Sequence, residues 1–268
     1  MEIQGKRVLV SGATGGLGRA IAQELAQEGA TLVLSSRKEE ELEQLARSLP
    51  GGESRHDVIV ADLAKAGAGE KLIREAGDLD AMVANAGLPG VGAIEKMPKQ
   101  ELTRTMRVNL EAPILMAREL APKLVEKGAG QIVFITSLNS KAATPKTSIY
   151  CATKFGLRGF ALALREDLHR KDVGVSLVSP GFIRDAGMFH DTGAKAPPGV
   201  GTTPVKQVGE AVVKAIRRNL SEVEPATRRL RLATAIAHFS PDLAARVQRR
   251  GGADKIASRI AEGHTGKK

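Results

Sequence analysis

Short, continuous apolar runs alternate with helically spaced ones along most of this chain. RVLVSG (7–12) precedes GRAIAQELAQEG (18–29), and ATLVLSS (30–36) precedes the charged KEEELEQLARSL (38–49). DVIVADL (57–63), a short helix near 65–76 and LDAMVANAG (79–87) follow. QIVFITS (131–137) and GVSLVSPG (174–181) each come next to a long helical stretch, near 100–127 and 150–171. The strands are uninterrupted apolar runs, as expected of parallel strands covered by helices on both faces. Strand–helix alternation throughout predicts an α/β fold with one doubly wound parallel sheet and right-handed crossovers.

The pattern breaks at GMFHDTGAKAPPGVGTTP (187–204), a Gly-, Pro- and Thr-rich stretch expected to be an irregular substrate loop. Beyond it, VKQVGEAVVKAIRRNL reads as a helix and SEVEP (221–225) as a short last strand. Residues 226–262 read as helical with a break at SPD (240–242). No repeat or low-complexity linker divides the chain. The expectation is a single domain: a nucleotide-binding catalytic part, 1–225, with a basic helical C-terminal extension, 226–268.

Composition agrees with a soluble globular protein, with 42% hydrophobic and 26% charged residues. No run approaches the ~18 apolar residues a membrane span needs. The N-terminus lacks a secretory pattern, so a cytoplasmic location is expected. One cysteine, Cys151, excludes an internal disulfide framework, and the five scattered histidines show no metal spacing, so no metal site is expected. The net charge of +10 is uneven: from Lys214 onward, 13 Lys/Arg stand against 5 Asp/Glu. The plain reading is a solvated helical tail, and the alternatives are contacts with anionic lipid, nucleic acid or an acidic substrate. Nucleic acid is disfavoured because Phe239 is the tail's only aromatic residue.

Two motifs carry candidate chemistry. Strand one runs into SGATGGLG and then a helix, with Gly12, Gly16 and Gly18 spaced G-x-x-x-G-x-G. Gly12 suits an unusual dihedral, and the bare turn lets backbone approach a pyrophosphate at a helix N-terminus. Gly18 allows helix to pack closely on sheet. After strand two comes LSSRK, with no carboxylate to hold a ribose 2′-hydroxyl. Ser36 and Arg37 would instead welcome a 2′-phosphate, so NADP(H) is preferred and NAD(H) is the alternative. Equally, Arg37 and Lys38 could simply partner Glu39–Glu41. Asp62, after strand three, can reach an adenine amino group or cap the next helix.

The second motif is Tyr150 and Lys154, one helical turn apart, with Ser137 thirteen residues earlier at the end of strand five. A phenol titrates near ~10. A nearby ammonium and the positive charge of a nicotinamide would lower that value and make the phenol a general acid–base. Cys151 has no histidine partner in a recognisable motif and reads as a packed small residue.

Taken together, Gly12, Gly16, Gly18, Asp62 in ADL, Asn85–Ala86–Gly87 in ANAG, Asn109 in VNL, Ser137, YCATK and Pro180–Gly181 resemble a classical short-chain dehydrogenase/reductase across residues 6–183. The resemblance implies a Rossmann-type sheet of about seven strands and hydride exchange between a nicotinamide and a carbonyl or alcohol carbon. It implies that Tyr150 is the proton donor or acceptor, that Ser137 holds the substrate oxygen, and that Lys154 binds the nicotinamide ribose and tunes Tyr150. Asn109 would support a water-linked proton relay through a helix kink. Thr14, Leu17, Leu63 and Ile183 join the glycines, Ser36, Arg37, Asp62, Asn85, Ala86, Gly87, Tyr150, Lys154, Pro180 and Gly181 as cofactor-binding positions. Ser11 and Ala84 replace the commoner threonine and asparagine, and Asp185 stands near a usual threonine, where it could accept from the carboxamide. The helices near 100–127 and 150–171 resemble those that pair in family homodimers and homotetramers.

The leading expectation is an NADP(H)-dependent oxidoreductase of a lipophilic carbonyl or alcohol. A 3-ketoacyl-thioester reductase is the second. A nucleotide-sensing binding protein without turnover is the third, disfavoured by the intact Asn109, Ser137, Tyr150 and Lys154. The tail is expected to act as a lid, an oligomer contact or a membrane-surface helix.

Overall fold

The structure, a computed structural model, describes residues 1–194, 196–197, 199–250 and 257–258. Seven parallel strands form one sheet: β1 (Arg7–Ser11), β2 (Thr31–Ser36), β3 (Asp57–Val60), β4 (Ala81–Ala84), β5 (Gly130–Ile135), β6 (Val173–Val178) and β7 (Glu222–Val223). Their order is β3-β2-β1-β4-β5-β6-β7, so the winding reverses between β1 and β4. Crossovers are made by α1 (Gly16–Gln27), α2 (Glu39–Ser48), α3 (Ala68–Glu75), α4 (Lys99–Met106), α5 (Ala112–Lys127) and α6 (Ser148–Leu168). This is the Rossmann-type sheet of the expectation.

Alternate residues of each strand enter opposite cores. Val8 and Val10 of β1 pack with Ile21 and Leu25 of α1, and Leu9 between them packs with Met82 and the α3–α5–α6 face. In β5, Val133 and Ile135 face one layer while Ile132 and Phe134 face the other. That is why these strands read as continuous apolar runs. Each fully buried aliphatic side chain contributes about 1.5–3 kcal/mol.

The helix expected over 100–127 is interrupted. Residues Arg107–Glu111 form a π-helical segment between α4 and α5, with Asn109 at its centre. One extra residue in a turn swings the Asn109 side chain inward, where it is buried. The stretch 187–204 is not wholly irregular: Gly187–Asp191 form a short helix, α7. Its flanks are clamped, since Thr203 N–H donates to Phe182 O (2.9 Å) and Arg184 N–H to Thr203 O (3.1 Å). The chain then continues into α8 (Lys206–Arg218), β7, α9 (Arg228–Phe239) and α10 (Pro241–Arg250). The expected break at 240–242 is a single residue, Ser240, and helix expected over 251–256 and 259–262 lies outside the described residues. No helix among the described residues is long and apolar enough to cross a membrane.

The sheet–helix contact is tightest at the first turn. A Cβ on Gly18 would lie 2.1 Å from Gly12 O, a backbone atom that cannot move aside. Gly18→Ala should therefore destabilise the fold by about 2 kcal/mol, a fall of roughly 4–8 °C in the thermal midpoint. An unchanged midpoint by calorimetry would mean that α1 can lift off β1 freely.

Candidate active site

A cavity of about 1090 Å³ lies over the carboxyl ends of the strands, at the point where the winding reverses. One end is made by the turn between β1 and α1. Gly12 has φ +65°, and a Cβ there would sit 2.8 Å from Ala86 Cα. Asn85 holds the neighbouring strand to this turn: its Nδ2 donates to Ser11 O (3.1 Å) and Gly12 O (3.0 Å). Ser11 Oγ accepts from the backbone N–H of Asn85 and Ala86 (3.1 and 3.2 Å). The serine hydroxyl thus supplies the tie, and Ala84 has no share in it.

The N-terminus of α1 has no side-chain cap and no acid in its first turn. Its free N–H groups and positive dipole end face the cavity across Gly15, Gly16 and Leu17. That is the donor set a pyrophosphate needs. Ser36, Arg37, Asp62 and Leu63 line the same end. Lys38 is engaged by Glu41, which also lies 3.6 Å from Arg19. Arg37 is exposed and carries no ion pair among the described residues, so the reading in which both cations serve the acids of α2 holds for Lys38 alone. Asp62 Oδ1 accepts from Ala64 N–H (3.1 Å), which orders the turn after β3.

In the middle of the cavity stand Ser137, Tyr150 and Lys154. Ser137 lies two residues beyond β5, where its Oγ accepts from Asn139 N–H (3.2 Å) and pairs with the Tyr150 hydroxyl. Leu138 N–H donates to Pro180 O (3.1 Å), fastening this loop to the end of β6. Tyr150 and Lys154 project from the first turns of α6. Lys154 is only 4% exposed, and its Nζ donates to Ile135 O (3.0 Å) and lies 5.7 Å from the Tyr150 ring centroid.

Burial pushes the Tyr150 phenol up to about 12, opposed by its hydrogen bond with Ser137. Burial pushes the Lys154 ammonium down to about 8. The expected lowering of the phenol by the neighbouring ammonium is therefore not found. Lys154 sits over the ring face, and desolvation dominates both groups.

Asn109 does not line the cavity. Its Oδ1 accepts from Leu88 N–H (2.7 Å), and its Nδ2 donates to Leu88 O (2.8 Å) and Thr153 Oγ1 (3.4 Å). It lies behind Gly87, whose missing Cβ would be 3.6 Å from Asn109 Oδ1 and 3.8 Å from Lys154 Nζ. All the other expected positions, including Thr14, Pro180, Gly181 and Ile183, line the cavity. Asp185 does not, which corrects its expected place beside a carboxamide. Its Oδ1 accepts from Val205 N–H (2.7 Å) and so anchors the start of α8.

The far end of the cavity is apolar and was not legible as a site. Leu138, Phe182, Met188 and Phe189 line it, with Leu230 and Ile236 of α9 and Leu243 and Val247 of α10. Phe182 and Phe189 touch with ring centroids 4.7 Å apart. The helical spacing of α9 and α10 was the available signal, but no pattern in sequence says against what such helices fold. Cys151 is buried and polar-partnered: its Sγ meets Thr147 Oγ1 (3.1 Å) and Asn139 Nδ2 (3.6 Å), steadying the loop that carries Ser137. Among the described residues no cluster of side chains could hold a metal ion.

Residues 6–197 match the family described as short chain dehydrogenase. The chain belongs to the short-chain dehydrogenase/reductase family. It is an oxidoreductase acting on CH–OH or C=O groups, and the family uses NAD(P). It is 34% identical over 269 residues to Ketoacyl reductase HetN from Nostoc sp., covering 97% of this chain and 94% of that protein. It is also 34% identical to 11-beta-hydroxysteroid dehydrogenase A from Sesamum indicum, over 84% of this chain and 70% of the relative. A metagenomic short-chain oxidoreductase, solved in complex with NADP, superposes with a TM-score of 0.71 at 29% identity, covering 85% of this chain and all of that one.

The Lys154 value fixes a sign. Its folded value of about 8 lies below its ordinary 10.5, so folding expels a proton from the charged form. The resulting penalty is complete below about pH 8 and is relieved as pH rises toward that of a free lysine. In denaturant unfolding, Lys154→Met should gain most over the wild type near pH 7 and lose that advantage progressively toward pH 10. A pH-independent difference would contradict a desolvated ammonium.

Proposed function

We propose that the protein is an NADP(H)-dependent oxidoreductase of lipophilic ketones or secondary alcohols. One observation carries this reading: Ser137, Tyr150 and Lys154 stand where a donor-lined, cationic half of the cavity meets an apolar half. The fit to a dinucleotide rests on the uncapped N-terminus of α1, the close approach at Gly12 and Arg37, which is exposed and has no ion pair among the described residues.

Gly12, Thr14, Gly16 and Leu17 would hold the pyrophosphate, Ser36 and Arg37 the 2′-phosphate, and Asp62 and Leu63 the adenine. Asn85, Ala86, Gly87, Lys154, Pro180, Gly181 and Ile183 would enclose the ribose and nicotinamide. The bound nicotinamide supplies or accepts the hydride. Ser137 Oγ holds the substrate oxygen beside the Tyr150 hydroxyl, which gives its proton to that oxygen in reduction and takes it back in oxidation. Burial keeps the Tyr150 phenol protonated at neutral pH, the form that gives a proton in reduction. Oxidation starts from the phenolate, which a positive charge brought into the cavity would favour. Lys154 holds a cation against the ring and can replace the proton. Asn109 keeps the π-helical segment against Leu88 and so keeps a relay path behind Lys154.

A second reading, 3-ketoacyl-thioester reduction, is favoured by the similarity to Ketoacyl reductase HetN along nearly the whole chain. A homo-oligomer formed through α5 and α6 is in keeping with Phe155 of α6, which is 40% exposed.

A panel of aliphatic and polycyclic ketones, alcohols and 3-ketoacyl thioesters, read by nicotinamide absorbance with each cofactor, separates these readings. Tyr150→Phe should lower kcat by about 10²–10⁴-fold with cofactor affinity unchanged in fluorescence titration, and full activity would remove Tyr150 from the mechanism. Arg37→Ala should weaken NADPH binding by roughly tenfold or more, the worth of a charge-assisted phosphate contact, and leave NADH binding unchanged. An equal effect on both cofactors would overturn the role of Arg37.

A further inference from the structure

The outer surface of α9 and α10 does not fit a helix pair meant only to face water. Of the twelve residues of α9, Thr234 alone is buried, and α10 buries none. Leu232, Ile236 and Phe239 are 64%, 46% and 86% exposed, and they fall at i, i+4 and i+7 on one face of α9. Leu243 and Val247, four apart on α10, are 48% and 61% exposed. These five are most of the large apolar side chains exposed anywhere among the described residues. A concentration of this kind marks an interaction site.

The charge on the same two helices has one sign. Arg228, Arg229, Arg231, Arg246, Arg249 and Arg250 stand against Asp242 alone. Arg231 is the one engaged, with Glu224 at 3.5 Å; the other five carry no ion pair among the described residues. Apolar side chains flanked by uncompensated arginines on short helices fit an anionic lipid interface, where the apolar groups enter the acyl boundary and the cations meet headgroup phosphates. A lipid surface also accepts such groups without a shaped groove. A third observation favours lipid over an acidic protein: of the five exposed apolar side chains, Ile236, Leu243 and Val247 line the catalytic cavity, whereas Leu232 and Phe239 lie outside it. The exposed apolar face is thus continuous with the apolar end of the cavity.

We propose that α9 and α10 form a docking surface for an anionic lipid bilayer, from which a lipophilic substrate passes into the cavity between the two helices. The passage rests on the lipophilic substrate of the proposed function; the docking does not.

The test is sedimentation of the full chain with phosphatidylcholine vesicles and with phosphatidylcholine–phosphatidylglycerol vesicles. The wild type should bind the anionic vesicles, release them at high salt and ignore the neutral ones. L232D/F239D and, separately, R246E/R249E/R250E should each lose about tenfold or more in affinity. None of these five residues lines the cavity, so turnover of a water-soluble carbonyl should be unchanged, which also shows that each variant folds. Should the apolar pair fail to fold, the arginine variant still decides. Wild-type binding that is absent, equal on both vesicles or untouched by the substitutions would overturn the proposal. So would a chain that ignores vesicles but binds an acidic carrier protein, or one whose L232D/F239D variant merely changes oligomeric state. Sedimentation needs no turnover, so a failed substrate panel and a failed docking test are separate results.

Discussion

A charged ammonium is held inside the protein, and much of the active-site architecture answers to it. Lys154 can stay there because Ile135 O accepts from it, the Tyr150 ring offers its face, and Gly87 leaves room in front of Asn109. Each condition comes from a different part of the fold: the end of β5, the first turn of α6 and the loop after β4. A buried cation without such contacts would cost several kcal/mol. The strand ends, α6 and the π-helical segment must therefore be in register before the lysine can be accommodated, which ties the reacting groups to the correct assembly of the whole sheet.

The same enclosure sets the electrostatics. Desolvation holds the phenol neutral and draws the ammonium toward neutrality, so the pair is poised to respond to a third charge brought into the cavity. The loop bearing Ser137 is braced from outside. Glu222 is held charged by Lys141 (2.6 Å) and Arg158 (3.3 Å) and accepts from Ser179 Oγ (2.9 Å), linking the segment after β5 to β6, β7 and α6. Burial alone would work against that carboxylate, and its cationic neighbours outweigh it.

The cavity has two chemical characters because two parts of the chain build it. The turn after β1 presents backbone donors and the turn after β2 a cation, while α7, α9 and α10 present hydrocarbon. The first half uses backbone geometry that tolerates little change, as the bare positions at Gly12 and Gly18 show. The second half uses side chains alone and can vary without disturbing the sheet, which suits it to setting the substrate.

Parallel strands buried on both faces must be apolar throughout, and a pyrophosphate turn must be bare, so the sheet, the glycine turn and the order of Ser137, Tyr150 and Lys154 were readable from residue types and spacing. These features are local or periodic. The resemblance implied a helix kink at Asn109, but its π-helical form, the helix at Gly187–Asp191, the capture of Asp185 by Val205 and the direction of the phenol's shift were not readable. Each depends on contacts between residues far apart in the chain or on the balance of burial against charge. The basic tail shows the division most clearly. Its composition and helical spacing were plain in the sequence, but only the folded chain decided that α9 and α10 line the cavity while Leu232 and Phe239 stay exposed outside it, because that depends on where the two helices come to rest over the strand ends.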